Sequence, residues 1–314
     1  MGNGVYLKEL VKDLDIKSLL PEIDYSKRRI YEADINRTAL PLAGYFDYFD
    51  GNRLQIIGLV EASYMLQLSE ETKEQVYSKL MSYHEIPAIV FCRGLEPDEL
   101  FLRKAQENGI PVFTSENTTS HFTAEAIRWL TYKLAPVIRI HGVLVDVYGE
   151  GVLITGNSGI GKSEAALELV KRGHRLVSDD AVEIRKISDN SLIGSAPDVT
   201  KHFIELRGIG IVDIKEMFGV SSVRDSHEIN LVINLEEWDR EREYDRIGLE
   251  EQYTEYLGNK IVSHTIPIRP GRNLAVIVES AAINYREKRM GYNAAKELYR
   301  RLQESMMHRD DEED

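Results

Sequence analysis

The chain has 314 residues, of which 43% are hydrophobic and 29% charged, so it has the composition of a globular protein and enough length for two domains. Its net charge of -13 disfavours nucleic acid as a partner, because neutralising phosphates needs the opposite sign. No apolar run approaches the roughly 18 residues of a membrane span, and the N-terminus lacks the apolar run of a signal peptide. Cys92 is the single cysteine, which excludes an internal disulfide. We expect a cytoplasmic protein with no membrane partner.

The first 130 residues alternate between helical periodicity and short apolar runs. In chain order, this pattern predicts a helix, a strand, a helix, a strand, a helix and a strand over residues 7–19, 56–60, 69–83, 88–92, 97–108 and 110–114. Ser69 is a plausible N-cap of the second helix, and Gly109 closes the third. The alternation predicts a small α/β domain over residues 1–130, in which no site chemistry is recognisable.

A domain boundary is expected near a proline. A helix over about 123–134 ends before Pro136, and we place the linker at residues 131–136. The β-rich runs over 137–149 and 151–156 then predict a hairpin that opens a second domain, over residues 137–308. Helical periodicity returns over 281–307, and residues 309–314 read as a solvated acidic tail.

One motif carries most of the chemical information. Residues 156–163 read GNSGIGKS, which fits the P-loop pattern at every specified position. An apolar strand over 152–155 precedes it and a strong helix former over 164–171 follows, as the motif requires. Backbone amides and the helix N-terminus would bind phosphate oxygens, Lys162 would reach the terminal phosphates, and Ser163 can ligate magnesium. The predicted nucleotide and phosphate site comprises Gly156, Asn157, Ser158, Gly159, Ile160, Gly161, Lys162 and Ser163.

A P-loop does not identify the acceptor of the phosphoryl group, so the acceptor has to be inferred from the other polar residues. Asp179 and Asp180 are adjacent in a probable strand over 174–184, and a regular strand would point them to opposite faces. One could hold magnesium while the other takes a proton from a hydroxyl; a solvated turn is the alternative. If Gly149 and Glu150 form a two-residue loop, His141 lies opposite the P-loop, where it is either functional or structural.

Further candidates follow downstream. Glu205 precedes a Gly-Ile-Gly turn and is a possible second metal ligand. Arginine side chains donate paired hydrogen bonds that suit phosphate oxygens, although each one taken singly reads as a surface residue. The arginines in question are Arg207, Arg246, Arg269 and Arg272.

Six motifs, in this order and spacing, resemble the HPr kinase/phosphorylase family. They are RIHG at 139–142, GNSGIGKS at 156–163, SDD at 178–180, ELRGIGIVD at 205–213, EYDRIGL at 243–249 and IRPGRN at 268–273. The resemblance covers the second domain closely, and the first domain is consistent with the family's variable N-terminal domain. It implies an α/β fold in which a small N-terminal α/β domain precedes a P-loop kinase domain of the phosphoenolpyruvate carboxykinase type.

The resemblance also implies an activity. Members phosphorylate a seryl residue of the phosphocarrier protein HPr with ATP or pyrophosphate, and they dephosphorylate phosphoseryl-HPr with inorganic phosphate, which releases pyrophosphate. They use Mg²⁺, assemble as homohexamers and control carbon catabolite repression. No signature of the eukaryotic protein kinases is present in this sequence.

Site residues follow from the same resemblance. The catalytic positions are His141, Lys162, Asp179, Asp180 and Arg246, and Ser163 with Glu205 would hold magnesium. One aspartate would be the general base, and the other would lie on the metal side; the sequence leaves open which is which. The segment used in both reactions comprises Ile204, Glu205, Leu206, Arg207, Gly208, Ile209, Gly210, Ile211, Val212 and Asp213. The segment tied mainly to dephosphorylation comprises Pro267, Ile268, Arg269, Pro270, Gly271 and Arg272. Ser221 and Ser222 depart from the small residues that the family pattern favours.

Two other functions remain compatible with the motifs. A P-loop kinase for a small metabolite would need the same phosphate site. A non-catalytic nucleotide sensor would use the P-loop for binding alone, with His141, Asp179 and Asp180 structural.

Overall fold

The chain divides into two compact units, Met1–Ala135 and Pro136–Asp314. The structure is a computed structural model and describes residues 4–239, 241, 248–269 and 271–310, with side chains as far as residue 305. No helix within these residues is long and apolar enough to cross a membrane.

The first unit is a small α/β domain, as the alternation of its elements predicts. Its elements are β1 (Val5–Tyr6), α1 (Leu7–Asp13), β2 (Lys17–Ser18), β3 (Arg29–Ile30), β4 (Ile35–Arg37), α2 (Ala39–Leu42), β5 (Leu54–Ile57), α3 (Leu59–Met65), α4 (Glu70–Met81), β6 (Ile89–Cys92), α5 (Glu99–Glu107), β7 (Val112–Ser115) and α6 (Thr119–Leu134). Strands β4 to β7 are parallel neighbours, and β2 adds antiparallel to β7. Helices α4 and α5 pack on one face of this sheet, and α1 and α6 on the other.

Three boundaries in this unit differ from the sequence prediction. Helix α1 ends at Asp13, because residues 17–18 leave it to form β2. The predicted strand over 56–60 is wrong at its end, since Gly58 turns the chain into α3. Helix α6 begins at Thr119, where the Thr118 hydroxyl accepts a hydrogen bond from the amide of His121, and it runs through most of the predicted linker.

The second unit has three layers: helices, a large sheet and a smaller sheet. Its elements are β8 (Val137–His141), β9 (Val143–Val147), β10 (Glu150–Gly156), α7 (Lys162–Lys171), β11 (Arg175–Ser178), β12 (Ala181–Ser188), β13 (Ser191–Ser195), β14 (Phe203–Leu206), β15 (Gly210–Asp213), α8 (Ile214–Phe218), β16 (Ser226–Glu228), β17 (Leu231–Glu237), β18 (Gln252–Tyr256), β19 (Asn259–Ile268), α9 (Leu274–Arg289) and α10 (Ala294–Asp310). The six-stranded sheet has the order β11-β9-β10-β17-β19-β18, and the four-stranded sheet has the order β16-β13-β12-β8.

Each face of the large sheet buries its own apolar cluster. Helices α7 and α9 and the β14–β15 hairpin pack on one face, around Ile154 and Ile233. The small sheet packs on the other face, where Leu144 and Leu153 of the large sheet lie among Val182 and other small-sheet residues. Alternate residues of β9 and β10 thus face opposite layers, which explains why these strands read as continuous apolar runs.

The first hairpin of this unit differs from its prediction in register. Glu150 pairs with Val147, so the two-residue loop is Tyr148-Gly149, whose φ values of 54° and 90° are those of a type I′ turn. The run over 137–147 is also not one strand. It breaks at Gly142, where a Cβ would lie 2.9 Å from the carbonyl oxygen of Ile154, and β8 joins the small sheet.

The helix predicted over 281–307 is two helices. Helix α9 begins earlier, at Leu274, and ends at Arg289; Gly291 then adopts a φ of 98°. The side chain of Asn293 accepts a hydrogen bond from the Lys296 amide at the start of α10. Helix α10 extends to Asp310, and residues 311–314 of the predicted acidic tail lie outside the described part of the chain.

Candidate active site

The glycine-rich loop of residues 157–161 connects β10 to α7. Gly156, Gly159 and Gly161 have φ values of 140°, 83° and 97°, which are unfavourable for residues with a Cβ. A Cβ on Gly156 would also lie 2.4 Å from the carbonyl oxygen of Leu235, on the neighbouring strand. The loop therefore has the strand, turn and helix context that the sequence predicts.

Lys162 is the first residue of α7 and is 6% exposed. Its ammonium group donates hydrogen bonds to the carbonyl oxygens of Gly156 (2.8 Å) and Asn157 (3.0 Å). Burial lowers the pKa of Lys162, although the nearby carboxylates of Asp179 and Asp180 act in the opposite direction. The cation is thus positioned inside the curve of the loop, next to the N-terminus of α7, and this arrangement suits an anionic ligand.

Asp179 lies in the turn between β11 and β12 and is 3% exposed. The hydroxyl of Ser163 donates to its Oδ1 (2.8 Å), and the backbone amide of Glu205 donates to its Oδ2 (3.2 Å). Burial raises the pKa of Asp179, against the effect of these hydrogen bonds. Asp179 therefore joins the P-loop helix to the β14–β15 hairpin.

Asp180 has a different environment. The predicted continuous strand is wrong here, because β11 ends at Ser178 and β12 begins at Ala181. Asp180 has a φ of 66°, and its side chain is 66% exposed. Its Oδ1 lies 3.0 Å from Nδ1 of His141, whose side chain is 50% exposed. The two carboxylates do have distinct surroundings. The cause is the turn in which both residues lie, and not the side-chain alternation of a regular strand.

His141 reaches this pocket by a route that the sequence did not reveal. It ends β8 and pairs with Ala181 of β12, so the small sheet delivers it beside Asp180. The loop of the first hairpin plays no part in this placement. His141 and Ser158 nevertheless line the same pocket, although the register argument that brought them together was wrong.

The β14–β15 hairpin supplies two more side chains. Ile204 and Leu206 are buried, and Glu205 between them is exposed. Arg207 donates a hydrogen bond from Nη2 to the hydroxyl of Ser158 (3.1 Å). Its guanidinium covers Gly159 so closely that a Cβ there would lie 2.6 Å from Nη1. The pocket so formed is lined by His141, Val143, Ser158, Gly159, Gly161, Lys162, Ser163, Glu164, Asp179, Asp180, Glu205 and Arg207.

The oxygen donors in this pocket suit magnesium. Ser163 and Asp179 are in hydrogen-bond contact, and Glu205 lines the same pocket. Within the described residues, no group of three or more His, Cys, Asp or Glu side chains could hold a metal. Hydroxyl and carboxylate oxygens are donors of the kind that Mg²⁺ takes, usually one or two from the protein with phosphate oxygens and water completing its shell.

The segment at 267–272 lies at the end of β19. The guanidinium of Arg269 lies 3.7 Å from the ring centroid of Trp238, and Arg272 donates from Nη1 to the carbonyl oxygen of Pro267 (2.8 Å). Helix α9 starts directly after it, and a Cβ on Gly161 would be 3.4 Å from Cδ1 of Leu274. The segment therefore leads into α9, whose first residue lies beside the glycine-rich loop. Neither arginine of the segment lines the pocket.

Some predicted positions are placed elsewhere or not described. Arg246 and Pro270 lie outside the described residues. Ser222 is buried, and its hydroxyl donates to the carbonyl oxygen of Gly219 (2.6 Å) in the turn after α8. Of the two serines that depart from the family pattern, Ser222 thus closes that turn, and Ser221 is exposed.

Sequence reasoning missed Glu279, a buried carboxylate of α9 that holds the C-terminal end of α7, the helix that follows the glycine-rich loop. Its carboxylate accepts hydrogen bonds from Arg172 at 2.8 and 2.6 Å, and it lies 2.9 Å from His174, all just beyond the end of α7. The available signal was an acidic residue at helical spacing from Ala275 and Ala282, both of which are buried. A charge on such a face indicates a buried partner.

The second unit is a mixed α/β domain in which a glycine-rich loop joins a strand to a helix and lies in one pocket with two adjacent carboxylates. Residues 5–130 match the family model described as HPr Serine kinase N terminus, and residues 132–302 match that of the HPr Serine kinase C-terminal domain. The chain belongs to the HPr kinase/phosphorylase family.

Relatives match over nearly the whole chain. A protein of Lachnoclostridium phytofermentans named HPr kinase/phosphorylase is 61% identical, over 96% of this chain and 98% of its own length. Its namesake from Caldicellulosiruptor bescii is 48% identical, over 95% and 96%. A solved structure of the Hpr(Ser) kinase/phosphatase from Coxiella burnetii is 36% identical, with a TM-score of 0.47, and covers 51% of this chain and 98% of that one.

Proposed function

We propose that this protein phosphorylates a seryl residue of HPr with ATP or pyrophosphate, and that it dephosphorylates phosphoseryl-HPr with inorganic phosphate. The near full-length relatives carry the name of this activity. The observation that carries the proposal is the pairing of Asp180 with His141 in the pocket that also contains Lys162. A binding module needs the phosphate loop, whereas a phosphotransferase also needs a solvent-facing base beside it.

The nucleotide phosphates bind the loop of residues 156–163. Its amides and the N-terminus of α7 contact phosphate oxygens, and Lys162 exchanges its bonds to backbone carbonyls for bonds to the terminal phosphates. Ser163 and Glu205 would hold Mg²⁺, with Asp179 orienting both. When bound, this ion neutralises charge on the phosphate groups.

Asp180 is the general base, and Asp179 lies on the metal side. Both oxygens of Asp179 accept hydrogen bonds from the site itself, and the residue is buried. The carboxylate of Asp180 is exposed, so the hydroxyl of a protein acceptor can reach it. Asp180 takes the seryl proton as the seryl oxygen bonds to the γ-phosphorus. The bond between that phosphorus and the oxygen that bridges the β- and γ-phosphates breaks, and ADP leaves. His141 orients Asp180.

The reverse reaction uses the same groups. An oxygen of hydrogen phosphate attacks the phosphorus of phosphoseryl-HPr and the bond to the seryl oxygen breaks, while Asp180 passes the proton lost by the phosphate to that seryl oxygen. Pyrophosphate leaves. Inorganic phosphate occupies the pocket that otherwise takes the β-phosphate, so the ligand concentrations set the direction. Simultaneous tight binding of ATP and inorganic phosphate in this pocket would contradict a shared site.

Other parts of the proposal rest on family membership. Arg246 neutralises charge in the transition state, the segment from Ile204 to Asp213 serves both reactions, and that from Pro267 to Arg272 serves mainly dephosphorylation. The protein assembles as a homohexamer, lies in the cytoplasm and controls carbon catabolite repression.

One experiment tests both directions. Purified protein and Mg²⁺ are incubated with HPr and ATP, then with excess inorganic phosphate, while the intact mass of HPr and the release of pyrophosphate are measured. We expect the gain of one phosphoryl group on serine, then its loss with stoichiometric pyrophosphate. The Lys162→Ala variant is the control and should do neither. An unchanged mass of HPr at every nucleotide concentration would contradict the proposal and favour a small-metabolite kinase or a nucleotide sensor.

A further inference from the structure

The β14–β15 hairpin has two different faces. Ile204 and Leu206 point into the core beneath it, and Val212, which pairs with Ile204, packs against the same cluster. Glu205 pairs with Ile211 on the other face. Because directly paired residues lie on the same side of a sheet, the side chain of Ile211 neighbours the pocket-lining carboxylate of Glu205.

This outer face carries three apolar side chains, where solvent-facing hairpins are ordinarily polar. Ile211 is 74% exposed, and Ile209 in the adjoining turn is 76% exposed. Phe203 lies two residues before Glu205, hence on the same face, and is 40% exposed. We call Phe203, Ile209 and Ile211 the hairpin surface. These side chains leave apolar area in water beside a charged pocket.

We propose that the hairpin surface is the docking surface for the protein acceptor, and that it contacts apolar side chains next to the serine that is phosphorylated. The inference rests on the proposed function. A serine held in a folded acceptor can reach Asp180 only if the surrounding acceptor surface lies on the rim of the pocket. Glu205 and Arg207 belong to that rim, and Ile209 and Ile211 adjoin them on the same hairpin.

A second copy of this chain is a less suitable occupant of the surface. Ile211 is the direct pairing partner of Glu205, so a copy packed over Ile211 would also cover the mouth of the pocket. That arrangement would obstruct any protein acceptor. The transient contact of a substrate, by contrast, needs apolar residues that are exposed between turnovers.

Docking through this surface has a kinetic signature. The hairpin surface would contact HPr and phosphoseryl-HPr alike, and it would do so equally in the ground state and the transition state. Loss of such uniform binding raises KM and leaves kcat unchanged. Nucleotide binding, which uses the loop of residues 156–163, should not change.

The test compares Ile211→Ser and Ile209→Ser with Met290→Ser. Met290 is 73% exposed, and the preceding Arg289 lies near Glu150, at the end of β10 opposite the P-loop, so this variant removes similar apolar area far from the pocket. For each hairpin variant we expect a rise of about tenfold in KM for HPr in phosphorylation and in KM for phosphoseryl-HPr in dephosphorylation. Such a rise corresponds to the burial of part of one aliphatic side chain. Affinity for MgADP and kcat should match the wild type, and Met290→Ser should leave all three unchanged.

Different results separate the two proposals. Wild-type protein that fails to phosphorylate HPr would contradict the proposed function itself. Wild-type turnover together with an unchanged KM in both hairpin variants would overturn the docking proposal alone. A smaller particle mass for Ile211→Ser in analytical ultracentrifugation would also overturn it, because the surface would then join copies of this chain.

Discussion

The carboxylate of Asp180 and the imidazole of His141 approach to 3.0 Å at the start of the small sheet. The amide of Gly142 also donates to the carbonyl oxygen of Asp180 (3.1 Å), so backbone and side chain together fix this contact. The neighbouring Asp179 does not take part in this contact. Its carboxylate instead accepts a hydrogen bond from the hydroxyl of Ser163. The adjacent carboxylates therefore have separate contacts, and the roles that we propose for them can be tested separately.

Replacing Asp180 with asparagine should remove the base without disturbing nucleotide binding. For Asp180→Asn we expect kcat for HPr phosphorylation to fall by roughly 10²- to 10⁴-fold, the usual contribution of general-base catalysis. Affinity for MgADP, measured by calorimetry, should be unchanged. Asp179→Asn is the matched control and should weaken MgADP binding. The opposite pattern, with Asp180→Asn losing nucleotide and Asp179→Asn losing only turnover, would exchange the two roles.

Replacing Arg207 with lysine should impair transfer even though the charge is kept. Arg207 contacts Ser158 and covers Gly159, and a lysine cannot provide the paired donors of a guanidinium. We expect kcat/KM to fall by roughly 10- to 100-fold in both directions. The control is Arg139→Lys, which alters an exposed pair with Glu183 and should have no effect. Full activity in Arg207→Lys would mean that only its charge matters.

Replacing Gly156 with alanine should abolish nucleotide binding, because its Cβ would clash with the backbone of Leu235. Gly173 provides the control, since its φ of 96° is also unfavourable for alanine but no atom lies within 4 Å of the added Cβ. For Gly173→Ala we expect a loss of about 1 kcal/mol in the free energy of unfolding and normal affinity for MgADP. Normal MgADP binding by Gly156→Ala would show that the loop tolerates displacement from β17.

The pair of Glu279 with Arg172 should make stability depend on pH. Hydrogen bonds from Arg172, and then from His174, lower the pKa of Glu279 from its ordinary value of 4.5. Its contribution is therefore complete above that value and is lost as pH falls through the lowered pKa. For Glu279→Gln we expect the free energy of unfolding at pH 7 to fall by about 2 kcal/mol, because a buried pair is broken.

Urea unfolding of the wild type and Glu279→Gln between pH 3 and pH 8 measures this effect. The difference between the two proteins should shrink as pH falls below about 4.5, since the unfolded state of the wild type then binds a proton that the native carboxylate, with its lowered pKa, takes up only at a lower pH. A constant difference across the whole range would indicate lost packing and not lost charge.

The P-loop and its flanks could be read from sequence because every determinant is local. The glycines, Lys162 and the apolar strand before them act within a few residues of one another. Helix starts at Ser69 and Asp98 follow equally local rules, as each side chain accepts a hydrogen bond from an amide three residues on. Such features need no knowledge of the tertiary structure.

The placement of His141 could not be derived in this way. Strand-forming residues stand on both sides of Gly142, and periodicity does not show that the run divides between two sheets. The determinant is the close approach of Gly142 to Ile154, a contact between strands. The buried pair of Glu279 and Arg172 likewise depends on which helices pack together. Contacts between residues far apart in the sequence thus determine the positions of His141 and Glu279, which local sequence patterns do not predict.

The strand break at Gly142 also means that the pocket is lined from two different layers of the second unit. His141 ends a strand of the small sheet and Asp180 lies in the turn just before another of its strands, whereas Lys162 and Ser163 begin a helix that packs on the large sheet. The apolar cluster between the sheets therefore acts as a spacer that sets how far Asp180 lies from the glycine-rich loop. Because protein interiors are close-packed and transmit strain, substitutions in this cluster, remote from the pocket, would change the distance between Asp180 and Lys162.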